Sequence, residues 1–455
     1  MSDTPRHELF SSRFAYLLAA TGAAVGLGNL WKFPYMLGSN GGAAFMLVYL
    51  AAVFLVALPI MLSEMVLGRY SGLSAPGTFQ KLADEGSVSR AWTGFAWFGL
   101  LGVFLALSFF SVVGGWSIAY TVNTFSGAFS GLDAGAADAA FHDIQAEPVA
   151  AVFWHFLFML GTIVIVAGGI RAGIEAATRI MMPALTILLV AFVAYGAITG
   201  AFLEALNYMF TWDFSLITPG TAIAATGQAF FSLSVGVGSV LTYAAYLPKN
   251  VSLPQAAIVI AVTDTAVALL AGLAIFPIVF GHGLDPESGP RLLFVAMSSA
   301  FGNMPFGWLI GGSFFLLVAI AAITSSIAML ETIVSRAEEY RPGYRRPLTW
   351  AIGAFVFVAG LGTVFSFNIW KEVHPLDFVA LFHDRTVFGL IDYFVNNLVA
   401  PIGATGYAVF AGWCFSQDIA RRELAFSSPR AFTLWRLLCR YVCPAAILGV
   451  LIASL

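Results

Sequence analysis

The sequence predicts an all-α polytopic membrane protein of about eleven transmembrane helices. They form two inverted units of five, with helices one and six unwound at the membrane midplane. Three observations carry this. Hydrophobic residues make up 60% of the 455 positions and charged residues only 10%, at a mean hydropathy of +0.88, whereas soluble domains carry roughly 25% charged residues. Apolar windows long enough to cross a bilayer recur along the whole chain. Glycine clusters interrupt the first and sixth of them, at corresponding places in two groups of five.

The windows run over about 14–37, 43–68, 92–125, 150–168, 178–199, 220–246, 254–281, 306–335, 347–366, 388–415 and 431–454. Residues 1–455 read as one domain, with 14–199 the first repeat unit, 220–415 the second and 431–454 an additional C-terminal span. An odd number of spans per unit makes the second unit enter the membrane in the opposite sense. No residue-level identity links the halves, so the repeat rests on hydropathy and break position. Sidedness follows from Lys and Arg: only Arg291, Lys371 and Arg385 fall in one set of connections, Lys32 lies in a span, and the others fall in the opposite set. That bias places the N-terminus in the cytoplasm and, with an odd span count, Leu455 outside. The first apolar run lacks a cleavage site and is too long for a signal peptide. Cys414, Cys439 and Cys443 lack metal or redox spacing and read as small apolar residues. No soluble domain or basic tail is present, so nucleic acid is not an expected partner; the lipid bilayer is.

In the first span, Gly22, Gly26 and Gly28 fall within seven residues, a poor composition for a helix interior. Peptide groups freed by a break at membrane depth cost several kcal/mol each unless something polar meets them. Carbonyls would suit a small hard cation and an exposed helix N-terminus an anion; the alternative is a packing face for a neighbouring helix. Ser232 to Gly238 (SLSVGVG) interrupts the sixth span in the same way. The outer loop from Ser126 to Pro148 carries Asp133, Asp138, Asp143 and Glu147 without a basic residue, as an ordered lid or a solvated loop. Gly173 and Pro183 open the fifth span, and Pro183 weakens its cytoplasmic end. The stretch Gly289 to Ser299 reads as a short amphipathic helix folding back toward the membrane.

Ionisable residues inside spans are expensive, about 2.5–3.5 kcal/mol on insertion scales, and default to function. They are Lys32, Glu64, Asp264, Glu331 and Asp392. Asp264, between two threonines in the seventh span, either meets a cation or is hydrogen-bonded by neighbours. Lys32 and Asp392, toward the outer ends of their spans, form an ion pair or snorkel separately. Glu64 and Glu331 fit a structural role on the amides of the broken helices. In the eighth span, Ala321, Thr324, Ser325 and Met329 share one face. Their hydroxyls either bond back to their own helix or join freed carbonyls as oxygen ligands for a hard cation.

Gly22 to Tyr35 (GAAVGLGNLWKFPY), followed by Asn40-Gly41-Gly42, resembles the first-helix signature of the neurotransmitter:sodium symporters. Gly227 to Gly238 (GQAFFSLSVGVG) with Thr242 and Tyr243 resembles their sixth helix, and Thr324-Ser325-Ser326 their eighth. The resemblance runs from about Arg6 to the last span and matches the eleven-span bacterial type. It implies sodium-coupled symport of an amino acid or related amine across the cell's inner (plasma) membrane, by alternating access. It also implies two sodium sites. The first comprises the Ala24 carbonyl, Asn29, Ser232 and Asp264 with the substrate carboxylate. The second comprises the carbonyls of Gly22, Val25 and Ala321 with Thr324 and Ser325. Members that need chloride have a neutral residue where Asp264 stands, so a fixed carboxylate implies chloride independence.

For the substrate, the resemblance implies that backbone amides around Ala23, Ala24, Gly26 and Gly28 receive the carboxylate. Carbonyls of the sixth break with Ser234, next to Ser232, receive the ammonium. Ala106, Phe110, Phe231, Val237, Ser325 and Met329 line the side-chain pocket. Phe231 is its lid, with Lys32 and Asp392 as an outer gate. The Gly173-to-Pro183 spacing implies that the fifth helix unwinds at its cytoplasmic end to release an inner sodium. Phe110 departs from the family's usual tyrosine, removing a hydroxyl worth about 0.5–1.5 kcal/mol, and Val237 stands where a bulkier residue is common. Both favour a neutral, apolar or aromatic amino acid, with a non-standard amine as the alternative. The missing tyrosine is the sole support for a non-transporting sensor of the same fold. No span pairs Ser or Cys with His and no HExxH occurs, so an enzyme is not expected. His155, His282, His374 and His383 read as solvated residues near the outer boundary.

Overall fold

The computed structural model describes residues 8–284 and 292–454, and every regular element among them is a helix. In lipid, a segment must satisfy its own peptide groups, and the helix is the form that does so within one span. Nine helices among the described residues are long and apolar enough to cross a membrane: Ala43–Ser71, Ala91–Phe125, Pro148–Ala167, Ile170–Ile198, Leu253–Gly281, Gly307–Tyr340, Arg345–Phe365, Val387–Cys414 and Pro429–Ala453. They are the second to fifth and the seventh to eleventh spans. The first span is a bent pair, Arg13–Ala24 and Gly28–Ser39, turning by 69°. The sixth is a split pair, Pro219–Ser232 and Ser239–Ala245. Of the eleven expected spans, nine are continuous among the described residues, the first is a bent pair that makes a tenth, and the sixth segment is split into two shorter helices.

The breaks fall where the glycines are. Val25 leaves the helix in an extended conformation, and the chain resumes in a π-helical turn at Gly28–Lys32. In the sixth span, Gly236 and Gly238 have φ of +98° and +83°, and Ser234 between them and the first half has +52°. Glycine adopts that region at little cost and Ser234 does not. The tenth span packs closely on this break: a Cβ on Gly403 would lie 1.7 Å from the Gly236 carbonyl oxygen. Glu64, fully buried in the second span, accepts hydrogen bonds from Gly236 N–H (2.6 Å) and Leu241 N–H (3.3 Å). It thus takes the structural role expected of it. Glu331 does not: its carboxylate accepts from the Tyr246 hydroxyl at 2.6 Å and pairs with Arg345, because Arg345 of the ninth span reaches the charge before any broken-helix amide does.

Several outcomes differ from the sequence reading. The acidic outer loop takes the ordered alternative, as a helix at Ala134–Ala146. It covers the helical stretch Leu292–Gly302, where Phe294 stacks on Phe141 at 5.4 Å and meets Tyr120 at 5.0 Å. That stretch is buried from Leu292 to Phe301 and is therefore not amphipathic, because a second layer lies over it; its expected start at 289–291 falls outside the described residues. His155 is buried, its Nε2 3.1 Å from the Phe357 carbonyl and its ring stacked on Phe357 at 4.7 Å, because the fourth span packs face to face with the ninth. Cys414 is exposed, while Cys439 and Cys443 are buried; all three are free thiols.

The fifth span is wound throughout Ile170–Ile198 in this structure, Pro183 included. The N-terminal segment holds its start. Glu8 accepts from the N–H groups of Ile170 (3.1 Å) and Arg171 (3.2 Å), which are unpaired donors of a helix beginning. Ser11 donates to Glu175 through both its amide and its hydroxyl.

Because Glu64 is the acceptor for two amides at a break, Glu64→Ala should lower unfolding stability by about 2–6 kcal/mol, from two unsatisfied donors at about 1–3 kcal/mol each. Glu64→Gln, which retains one acceptor oxygen, should lose less. Thermal unfolding of the purified variants in detergent, compared side by side, checks both the direction and the order.

Candidate ion and substrate site at the helix breaks

Asn29 is the hub of the site. One turn past the first break, its Oδ1 accepts the Gly26 N–H at 3.1 Å, so the side chain spans the interruption in its own helix. Its Nδ2 donates to Asp264 Oδ1 at 2.8 Å, to the Asp264 carbonyl at 3.2 Å and to Ser232 Oγ at 3.2 Å. The Ser232 hydroxyl donates to Asp264 Oδ2 at 2.5 Å. All three residues are buried. Asp264 is thus the carboxylate shared by the first break, the end of the first half of the sixth span, and the seventh span. Amide, hydroxyl and carboxylate oxygens form a donor set suited to a hard cation. Turning the Asn29 amide over would exchange the Gly26 contact for an oxygen facing the carboxylate.

The second predicted group assembles on the other flank of the first break. The Ser325 hydroxyl lies 3.4 Å from the Val25 carbonyl and 3.3 Å from the Ala321 carbonyl, and the Thr324 hydroxyl donates to Ala321 at 3.0 Å. Both hydroxyls bond back to their own helix, and that of Ser325 also faces the freed Val25 carbonyl. A Cβ on Gly22 would lie 3.3 Å from Thr324 Cβ and 2.9 Å from Met182 Sδ. The fifth span thus closes this group with Met182, which the sequence reading did not single out.

Around the breaks, the Ser234 hydroxyl donates to the Ala23 carbonyl at 3.3 Å. The Phe231 ring rests on Gly28, where a Cβ would lie 2.8 Å from its edge, and stays 39% exposed. Lys32 places its ammonium 4.4 Å from the centre of that ring. Asp392 instead accepts from Asn396 at 2.7 Å, and no Lys32–Asp392 ion pair forms among the described residues. The ammonium of Lys32 thus lies over the Phe231 ring, a contact that needs no fork geometry, while its charge and that of Asp392 still act on each other.

A small cavity lies beside the breaks, lined by Ala23, Ala24 and Ser234 with Tyr16, Ser239 and Tyr243 among others. Ala106, Phe110, Val237 and Met329 do not line it and are half-buried. The Phe231 ring lies over Gly28. The sequence reading also missed Tyr49. Its buried hydroxyl approaches Ser232 and Thr265 beside Asp264 without the geometry of a hydrogen bond. A tyrosine five spans from the carboxylate has no sequence signal that would link the two.

The model of the sodium:neurotransmitter symporter family matches residues 7–134 and 140–455. The chain belongs to this family. It is 35% identical to the uncharacterized sodium-dependent transporter YhdH of Bacillus subtilis, over 97% of this chain and 96% of that protein. It is 31% identical to an uncharacterized sodium-dependent transporter of Haemophilus influenzae, over 100% and 99%. Its structure is similar to that of MhsT in complex with L-phenylalanine, with a TM-score of 0.88 and 36% identity, over 99% of this chain and 100% of that one. This symporter-family chain is therefore a sodium-dependent membrane transporter and not an enzyme.

The close approach at Gly26 gives a direct test of this symporter's second group. A Cβ there would lie 2.8 Å from Ser325 Oγ, forcing the hydroxyl away from the Val25 carbonyl. Gly26→Ala should weaken sodium activation of uptake by about tenfold, equivalent to about 1.4 kcal/mol, measured as the sodium concentration giving half-maximal transport.

Proposed function

We propose that this symporter imports a neutral, apolar or aromatic amino acid together with sodium bound at two sites, and that it does so without chloride. The observation that carries the proposal is the buried Asn29–Ser232–Asp264 cluster. It joins both broken helices to a fixed carboxylate. A cation in a low-dielectric site needs a nearby anion, and a protein-borne one removes the need for a dissolved one. The first sodium would use the Ala24 carbonyl with Asn29, Ser232 and Asp264. The second would use Gly22, Val25, Ala321, Thr324 and Ser325.

The substrate carboxylate would dock on the amides of 23–28 and help to ligate the first sodium. Its ammonium would meet the sixth-span carbonyls and Ser234. Ion and substrate would then favour each other's binding by the same factor in both directions. Phe231, seated on Gly28 and capped by Lys32, would be the lid. Ala106, Phe110, Val237, Ser325 and Met329 would surround the side chain once that ring lifts. The L-phenylalanine bound in the similar structure and the apolar character of these five positions, Ser325 apart, support an apolar or aromatic substrate. The units 14–199 and 220–415, with spans one, two, six and seven rocking against the others, would supply alternating access. The cytoplasmic N-terminus and outer C-terminus follow from the arginine and lysine bias.

Uptake of labelled phenylalanine and other neutral amino acids into proteoliposomes tests the reading. A sodium gradient should drive it, and replacing chloride by gluconate should leave it unchanged. Uptake that ignores the sodium gradient would overturn it. Asp264→Asn should reduce sodium affinity by at least about tenfold, the loss expected when a buried charge partner is removed, or should create a chloride requirement. Unchanged dependence on both ions would remove Asp264 from the site. Phe110→Tyr should preserve or tighten α-amino-acid binding by up to about tenfold, the worth of one hydrogen bond. A large loss in a binding competition assay would mean a differently shaped pocket.

A further inference from the structure

Three arginines converge where the tenth and eleventh spans meet at the end of the membrane that the basic residues mark as cytoplasmic. Arg436 and Arg440 stand one turn apart on the eleventh span and so share a face. Each donates its Nε to the same acceptor, the Gly412 carbonyl, at 3.1 and 2.7 Å. The third, Arg421, lies with its guanidinium 4.8 Å from the ring of Phe432. The fields of Arg440 and Arg421 both bear on Arg436. No carboxylate pairs with any of the three among the described residues; Glu423, the nearest acidic residue in sequence to Arg421 and Arg422 on their C-terminal side, is taken by Arg69. Arg436 is only 8% exposed, and its Nη1 is buried without a hydrogen-bond partner.

Unpaired like charges held together call for an anion. Guanidinium forks whose Nε is already fixed present their Nη groups in the geometry that phosphate oxygens accept. The surroundings favour a lipid over a dissolved ion. Trp413 and Tyr441 meet edge to face at 5.7 Å and are 53% and 55% exposed. Arg440 lies over the Trp413 ring at 4.9 Å, and Leu434 and Leu437 are exposed on the same helix. Such aromatics sit at headgroup depth, and basic pockets between spans on the cytoplasmic side take anionic headgroups. We infer that Arg421, Arg436 and Arg440, with Trp413 and Tyr441, form a binding site for the phosphate headgroup of an anionic phospholipid.

The test uses the full-length protein, purified, delipidated and titrated with phosphatidylglycerol or phosphatidylcholine in mixed micelles, with bound lipid counted by native mass spectrometry. The wild type should retain phosphatidylglycerol in preference to phosphatidylcholine. The doubly substituted Arg436→Gln, Arg440→Gln protein should lose about fivefold in that preference for each arginine removed. Arg341→Gln with Arg346→Gln, exposed arginines of another connection, should lose none. Millimolar inorganic phosphate should not displace the lipid. Equal retention of the two lipids by the wild type would overturn the site whether or not the variants fold. An equal loss in both double variants would reduce it to general surface charge. Displacement by phosphate would make the ligand a free anion and not a headgroup.

Discussion

Peptide groups released inside an apolar medium must find partners, and the rest of this molecule is arranged around that requirement. Two helices are interrupted, and polar side chains meet the peptide groups that the interruptions release. Asn29 bridges the first break through the Gly26 amide. Glu64 takes amides of the sixth. Ser325 and Ser234 reach the carbonyls of Val25 and Ala23. An unmet group at this depth costs several kcal/mol, so these residues are fixed in type even though none of them packs a core.

The same requirement produces coupling. Asn29 donates to residues of two other spans while accepting from its own. Any ligand that takes one of those oxygens must rearrange the others, and binding at one break is thereby felt at the second. At the end of the bundle where the N-terminal segment packs, the contacts are of a different kind. Arg345 bridges Glu331 and Glu338 and also donates to the Val166 carbonyl, and Phe10 packs among Tyr16, Tyr243 and Tyr246. Removing one member of such a buried pair leaves a charge without a partner. The N-terminal clasp of Glu8 and Ser11 on the fifth span lies at the same end.

Much of the architecture was legible because the bilayer imposes a one-dimensional rule. A window of apolar residues is a span, and Gly26, Gly28, Gly236 and Gly238 mark where a span fails. Asp264 stood out because a carboxylate between two threonines in an apolar run has few ways to exist, whereas its partners Asn29 and Ser232 came from the family resemblance. What stayed hidden depends on which surfaces meet. His155 reads as a boundary residue until the ninth span lies against it. Leu292–Gly302 reads as half-exposed until Ala134–Ala146 covers it. Lys32 reads as a partner of Asp392 or as a separate snorkelling cation, and its place over the Phe231 ring is visible only in the fold. Neither Tyr49 nor Met182 carries a local pattern, since each acts through a helix remote in sequence.

The sequence by itself determined the number of spans, the positions of both breaks and the residue types able to face them, because hydropathy, backbone freedom and the cost of a buried charge are properties of short stretches. Only the tertiary structure decided which polar groups meet, which aromatic closes over Gly28, and which arginines are left without an acid. Those outcomes follow from helix packing, where close approaches such as Gly403 on Gly236 set the spacing of side chains that lie far apart along the chain.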